Sequence, residues 1–459
     1  MILLYNGRIW GHSKETDSVV IKKDKIFYTG EFNKIPDGEY EKKINLQNKL
    51  LLPGFIDTHT HFSEYVKLKL QIDFSEVKNI KQIFELIKKY PQKSKGYGLK
   101  ISLFNKTELH EIFKNTKRDI SLKVASSDYH SYLTTGIGLT DWPPEQKIVI
   151  SQNYKKELYK NLKIALQELY KCGITSIHEM AFKKQDFYFY DDIGKNIEVC
   201  RHFPLEMLDE MIKKKQKSYT DSDYLRLGSL KLFYDGSIGS GSALMFDSDN
   251  GKVNLKLSEI EKIIKKALLN EFSVSVHAIG DKAVDDIVNI FIKHKTLIKN
   301  FVRIEHAQTI RDKTIKKLEN IRDKVYLSMQ PLHIRDDYYV LKYMETGKFS
   351  FRFKSMENLI IGFSSDVPVV EFNPFLSIHY AITHKLNKKE AITIKEAIDN
   401  YTINAARLSG EENIKGSITK GKLANLMLID DFSKYDENFW LNAESYLTIL
   451  RGRVVYSIL

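Results

Sequence analysis

Cysteine is scarce in this chain: two in 459 residues, Cys172 and Cys200. Only two cysteines give no disulfide framework and no Cys-x-x-Cys metal knuckle. Cys172 lies in Leu169-Tyr170-Lys171-Cys172-Gly173-Ile174, where a small buried hydrophobe is the natural role. Also lacking is an apolar run long enough to span a bilayer. The start, Met1-Ile2-Leu3-Leu4-Tyr5-Asn6-Gly7-Arg8, has no basic stretch leading into a long apolar core, so no secretory signal is expected. Neither internal repeats nor low-complexity segments are found. These absences predict a soluble cytoplasmic protein of enzyme size with no membrane partner.

Negative charge is the minority sign: 71 Lys and Arg stand against 59 Asp and Glu, a formal net charge of +12. Nucleic-acid binding is one explanation for such an excess. The lysines, however, are spread along the whole chain, and the densest run, Lys213-Lys214-Lys215-Gln216-Lys217, lies in a polar connecting segment. There is no zinc finger, RNA-binding aromatic motif or basic helix with heptads. A solvated lysine-rich surface accounts for the excess, and no nucleic-acid partner is expected. Hydrophobic residues at 42% and charged residues at 28% are ordinary for a globular protein.

Both ends are rich in short β runs. Ile2–Tyr5, Ser18–Ile21 and Lys25–Tyr28 are separated by turn signals at Asn6-Gly7, Lys22-Lys23-Asp24 and Gly30. Ala424–Ile429, Tyr446–Leu450 and Gly452–Tyr456 repeat the style. We read residues 1–50 and 415–459 as one β-sandwich domain composed from both ends, and 51–414 as a separate domain. In the latter, apolar β runs alternate with helical spacing. The strand candidates are Leu51–His61, Ser121–Ser126, Ile174–Met180, Leu225–Tyr234, Ser273–Ala278, Phe301–His306, Val325–Met329 and Leu359–Ser364. Asn161–Tyr170 and Leu257–Leu269 are the clearest helices. Eight strands alternating with helices predict an α/β fold closed as a (β/α)₈ TIM barrel, with an open doubly wound sheet as the alternative.

The most informative stretch is Leu51-Leu52-Pro53-Gly54-Phe55-Ile56-Asp57-Thr58-His59-Thr60-His61-Phe62. Side chains alternate faces along a strand, so His59 and His61 project from one face. Imidazole is the commonest metal ligand, and the pair makes half of a metal site. Barrel enzymes draw catalytic residues from the C-terminal ends of several strands. Other strand candidates carry Lys231 within an apolar run, His277 and His306 at their ends, and Asp366 just beyond Gly362-Phe363-Ser364-Ser365. One histidine at a strand end is usually a satisfied polar residue; this joint pattern is far more specific. A bare Lys231 ammonium beside divalent cations would be repelled, and burying it is costly. Reaction with CO₂ would turn the amine into an anionic carbamate able to bridge two metals. The plainer alternative is a lysine snorkelling to the barrel rim.

With these segments in hand, the chain resembles the metal-dependent amidohydrolase superfamily and, within it, the YtcJ-like (Amidohydrolase 3) group. The matching segments are Leu52–Phe62, Ser127-Asp128-Tyr129-His130-Ser131, Lys231–Gly239, His277–Asp281, Ile304–Gln308 and Ser365–Val369, with Tyr401–Arg407 and Gly416–Asn425 near the end. The resemblance implies a (β/α)₈ barrel with a composite β-sandwich. It implies that His59 and His61 bind the more buried of two divalent metals, that carboxylated Lys231 bridges the pair, and that His277 and His306 bind the second. Asp366 would bind the first metal and shuttle the proton. Zinc is the default metal, with iron or manganese as alternatives. Hydroxide generated from a metal-activated water would attack the carbonyl of a small-molecule substrate, Asp366 passing its proton to the leaving nitrogen. His130 would hydrogen-bond the substrate or its oxyanion, or serve structure alone.

The chain departs from the family pattern in three places. Tyr129 stands where glycine is usual, which would narrow the pocket near His130. Asn425 stands where aspartate is usual, a change expected to affect only the sandwich. The segment after His130, through Leu139-Thr140-Asp141-Trp142-Pro143-Pro144, is abbreviated, and such loops shape substrate pockets. Asp235-Gly236-Ser237-Ile238-Gly239-Ser240-Gly241 lacks the Walker lysine spacing and reads as a flexible loop over the barrel mouth. Glu179 reads as pocket-facing, salt-bridged or part of a solvated rim. Ser364-Ser365 have no nucleophile-elbow context. The expected activity is hydrolysis of a non-peptide C–N bond in an amide, formamide, N-acyl compound or cyclic amide. The alternatives are a heterocycle deaminase, against which Lys231 speaks, and a catalytically silent binding protein. A homo-oligomer is left open.

Overall fold

A computed structural model describes residues 1–74, 76–89, 95–99, 103–116, 123–126, 132–134, 138–140, 152–192, 195–220 and 223–459. These form two compact units, Met1–His61 with Leu166–Leu459, and Phe62–Ala165.

Eight parallel strands dominate the first unit: β1 (Phe55–Thr60), β2 (Ile174–Met180), β3 (Glu198–Pro204), β4 (Leu225–Phe233), β5 (Val274–Ala278), β6 (Val302–His306), β7 (Val325–Met329) and β8 (Ile361–Phe363). Each hydrogen-bonds to its successor in chain order. The ring is drawn together beyond β8, where the Asp366 amide donates to His59 O at 2.9 Å and the His61 amide to Val367 O at 2.7 Å. Strands such as β1 and β2 are buried along their whole length, as parallel strands covered on both faces must be. The covering helices are amphipathic. Helix Asp281–Lys293, between β5 and β6, buries Ala283, Val284, Ile287, Val288 and Phe291 at helical spacing. Each large apolar side chain so buried contributes about 1.5–3 kcal/mol. The sheet and its helices are a (β/α)₈ TIM barrel.

The terminal segments supply two further sheets. In one, Ile2–Tyr5 pairs antiparallel with Ser18–Lys22 and parallel with Lys42–Asn45. In the other, Leu50–Pro53 pairs antiparallel with Leu426–Ile429, which continues to Leu447–Leu450 and Arg453–Ser457. One apolar cluster, including Leu4, Val19, Ile21, Leu51, Leu426, Leu428 and Ile449, joins the two sheets. The predicted strand Leu51–His61 is thus two strands in different sheets. Gly54 parts them, where a Cβ would stand 2.5 Å from the Thr175 side chain.

The predicted barrel strand at Ser121–Ser126 is corrected. Its Lys123–Ser126 portion is a strand of the second unit, in a five-stranded sheet with Ile72–Asp73, Lys95–Leu99, Tyr132–Thr134 and Gly138–Thr140. That unit has its own apolar cluster, including Ile72, Phe74, Ile83, Leu109 and Phe113. The barrel's true third strand, Glu198–Pro204, went unread because its charges mask it. Inside the fold they are answered: Glu198 accepts from Arg451 Nε (2.5 Å) and Asn425 Nδ2 (2.8 Å), and Arg201 Nη1 reaches Asp191 at 2.5 Å. Asn425 therefore touches the barrel as well as the sandwich. An aspartate there would set a second carboxylate against Glu198.

Candidate metal centre

His59 lies next to the last residue of β1, with His61 just past the strand, and the loop after β8 brings Asp366 beside both. Oδ1 of Asp366 lies 3.4 Å from Nε2 of His59 and 3.5 Å from Nε2 of His61. The ligand atoms of the three residues lie within 4.8 Å of one another, and all three residues are buried. Asp366 adopts φ 65° and His306 φ 73°, left-handed conformations uncommon for non-glycine residues. Asp57 fixes this loop, its Oδ1 accepting from the Ser365 amide at 3.0 Å and the His59 amide at 3.3 Å. Burial pushes the Asp57 carboxyl up to about 7.

Each imidazole is held by its second nitrogen. His59 Nδ1 meets Glu305 Oε2 at 2.7 Å, His61 Nδ1 meets Met180 O at 2.7 Å, and His306 Nδ1 meets Gln330 Oε1 at 2.8 Å. In all three, Nε2 would be the coordinating atom. His277 is held by its other nitrogen, Nε2 lying 3.1 Å from Gly236 O. Outer partners of this kind fix ring orientation and raise ligand basicity. Ring centroids of His277 and His306 are 4.5 Å apart, and those of His59 and His306 4.7 Å. Burial, then neighbouring positive charge, holds His59 and His306 well below the usual imidazole range and brings His61 down to about 3. The rings are neutral, as metal ligands must be.

Lys231, on β4, is 2% exposed. Its Nζ has no hydrogen-bond partner among the described residues, nor has His59 Nε2. Burial pushes the ammonium down, against the opposing pull of Glu305 and Asp366. It is no snorkelling rim lysine. Orphaned donor atoms converging on a buried carboxylate are what a divalent cation would satisfy, so the residues fit a metal.

His130 lies outside the described residues. Glu179 is buried and accepts from the Tyr190 hydroxyl at 2.6 Å, which rules out a solvated rim. The glycine-rich loop is closed on itself, the Ser242 and Ala243 amides donating to Ser237 O at 3.0 and 3.1 Å. Asp235 anchors it, taking the Ile279, Gly280 and Leu244 amides at 2.9–3.0 Å. Phe182, 47% exposed, stacks on His61 with ring centroids 3.9 Å apart. Sequence reasoning gave no role to Glu305, Gln330, Asp57 or Phe182. Glu305 had a signal: an acid next to a ligand histidine in a strand otherwise apolar but for Arg303. Among the described residues, no helix is long and apolar enough to cross a membrane.

A model of the Amidohydrolase family matches residues 139–456, well over half of the chain. Protein LONG AFTER FAR-RED 3 of Arabidopsis thaliana is 26% identical across 99% of this chain and 91% of its own. YtcJ of Bacillus subtilis (strain 168) is 22% identical across 96% of each. In fold, the chain is similar to the crystal structure of an uncharacterized metal-dependent hydrolase from Pyrococcus furiosus. The TM-score is 0.77 at 22% identity, over 94% of this chain and 99% of that one. With its eight-stranded barrel and buried ligand cluster, the chain belongs to the Amidohydrolase family, in the YtcJ-like group of that superfamily of metal-dependent hydrolases.

Proposed function

We propose that the chain hydrolyses a C–N bond other than a peptide bond, in a small amide, formamide, N-acyl compound or cyclic amide. The observation that carries this reading is the convergence of His59 Nε2 and His61 Nε2 on Asp366 Oδ1, at 3.4 and 3.5 Å. His59, His61 and Asp366 would hold one divalent metal, zinc by default, and His277 and His306 a second. Such a pair, when bound, supplies a Lewis acid and lowers the pKa of a water toward neutrality. Lys231 would bridge the two as a carbamate: its neutral amine adds to CO₂, forming an N–C bond and releasing one proton. A depressed ammonium favours that step, because only the free amine reacts.

Asp366 would take the proton of the attacking water and deliver it to the leaving nitrogen. Phe182 would offer a flat apolar face to the substrate beside His61. His130 would hydrogen-bond the substrate, and the protein would work in the cytoplasm.

The test pairs metal analysis with a hydrolysis screen across N-acyl amino acids, N-substituted formamides and cyclic amides, using Asp366→Asn as the control. About two metal equivalents per chain are expected, with turnover that the variant loses. Trace metal after metal-supplemented expression, or full activity in Asp366→Asn, would sink the reading.

A further inference from the structure

Beneath the metal centre lies a second buried cluster of metal-competent groups: His178 on β2, and Cys200 and His202 on β3. Its lone pairs are already taken. The Ser229 amide donates to Nδ1 of His202 at 3.1 Å, so that nitrogen is unprotonated and Nε2 carries the ring hydrogen. Nε2 faces Cys200 Sγ at 3.8 Å. Nη1 of Arg303 donates to Nδ1 of His178 at 2.8 Å and lies 3.2 Å from His202 Nε2. Arg303 is wholly buried, and its Nη1 stands between the two imidazoles. Both histidines are held well below the usual imidazole range, by burial first and Arg303 second, and so are neutral.

The other edge of the same guanidinium grips the metal centre's support. Nη2 donates to Glu305 Oε2 at 3.0 Å and to Thr58 O at 2.6 Å. Nε lies 2.8 Å from Glu305 Oε1. Oε2 of Glu305 in turn takes Nδ1 of His59 at 2.7 Å. Nε and Oε1 meet as an ion pair without hydrogen-bond alignment, so the guanidinium holds the carboxylate by one hydrogen bond and by charge.

We propose that Arg303 is a positioning residue for the metal centre. It is a resident cation, seated in the His178–Cys200–His202 pocket, that clamps Glu305 and so aims Nε2 of His59 at the first metal. Arg303 touches neither metal nor substrate; it acts through Glu305. The inference rests on the two-metal reading above.

The experiment measures Co²⁺ and Zn²⁺ affinities by chelator competition, and the visible spectrum of the Co²⁺-loaded protein. Wild type is compared with Arg303→Met, Glu305→Gln and the double variant. Each variant is expected to bind one of the two metals about 10–100-fold more weakly and to shift the Co²⁺ spectrum. The double variant is expected to be no worse than the weaker single one, because the two residues act in one chain. Arg303→Met leaves a buried carboxylate unpaired and is the variant most at risk of misfolding. The double variant removes both charges together and keeps the question open to an answer. Wild-type affinity and spectrum in the double variant, or in a folded Arg303→Met, would overturn the proposal and leave the two-metal reading standing. Absence of metal from wild type would overturn both.

Discussion

Two buried clusters in one barrel each gather three metal-competent side chains within 4.8 Å. In the upper one, His59, His61 and Asp366 leave His59 Nε2 without a partner, with the equally orphaned Lys231 Nζ in the same centre. In the lower one, His178, Cys200 and His202 surround a guanidinium that has taken the lone pair of His178. Composition does not separate them, since two histidines and a third ligand occur in both. Tautomer and neighbouring charge do. A histidine can ligate when an acceptor holds its other nitrogen, as Glu305 and Met180 do for the upper pair. It cannot ligate when a donor has claimed the lone pair.

The largest effect that would break this contrast is loss of hydrolysis at the upper cluster. Asp366→Asn is expected to lower kcat by about 10²–10⁴-fold, the range of a lost acid–base group. Steady-state kinetics on any substrate found in the screen would check it, and an unchanged kcat would remove Asp366 from the chemistry. Next comes Lys231→Ala, expected to lose metal and activity beyond the about 10–100-fold that an outer partner costs. Short carboxylates added to the assay should restore part of it. Activity equal to wild type without rescue would reduce Lys231 to a packing residue.

His178→Asn probes the lower cluster and sharpens the comparison from the other side. Metal content should stay as in wild type, while urea unfolding shows a loss of about 1–3 kcal/mol, because Arg303 loses a buried acceptor. Loss of a whole metal equivalent at saturating metal, beyond a weakened affinity, would mean that the lower cluster ligates after all. The smallest effect is in pH dependence. His178 stays neutral in the folded state while the unfolded chain takes up a proton below the ordinary value of 6.5. The unfolded state binds more protons there, so stability is present above that pH and is lost as pH falls. Removing His178 should flatten the slope of metal-free protein by up to about 1.4 kcal/mol per pH unit below pH 6.5. An identical slope in the variant would mean that His178 titrates normally.

Much of the centre could be read from the chain because its residues stand at the ends of apolar runs. His59, His61, His277 and His306 stand at or just past the ends of strand candidates and Asp366 just beyond one, where a barrel gathers its chemistry. Glu198–Pro204 failed the same test for the opposite reason. Its strand carries Glu198 and Arg201 among seven residues; Arg451 and Asn425, more than 200 residues away, answer the first, and Asp191, ten residues away, the second. Lys123–Ser126 was misplaced because a short β run carries no label for the sheet it joins. Arg303 and Glu305 were visible as charges two apart in strand Val302–His306, but nothing local says that both point into a packed barrel.

By itself the sequence determined the alternation of strands and helices, the face shared by His59 and His61, and a set of ligand-type residues along the chain. These are local properties, fixed by side-chain period and polarity. Only the tertiary structure decided which histidines keep a free lone pair, since that depends on donors and acceptors brought in from other strands. It placed Glu305 behind His59, the Arg303 guanidinium beside His178, and Asp366 between two imidazoles. Contacts across hundreds of residues set those charges and tautomers, and no window of sequence contains them.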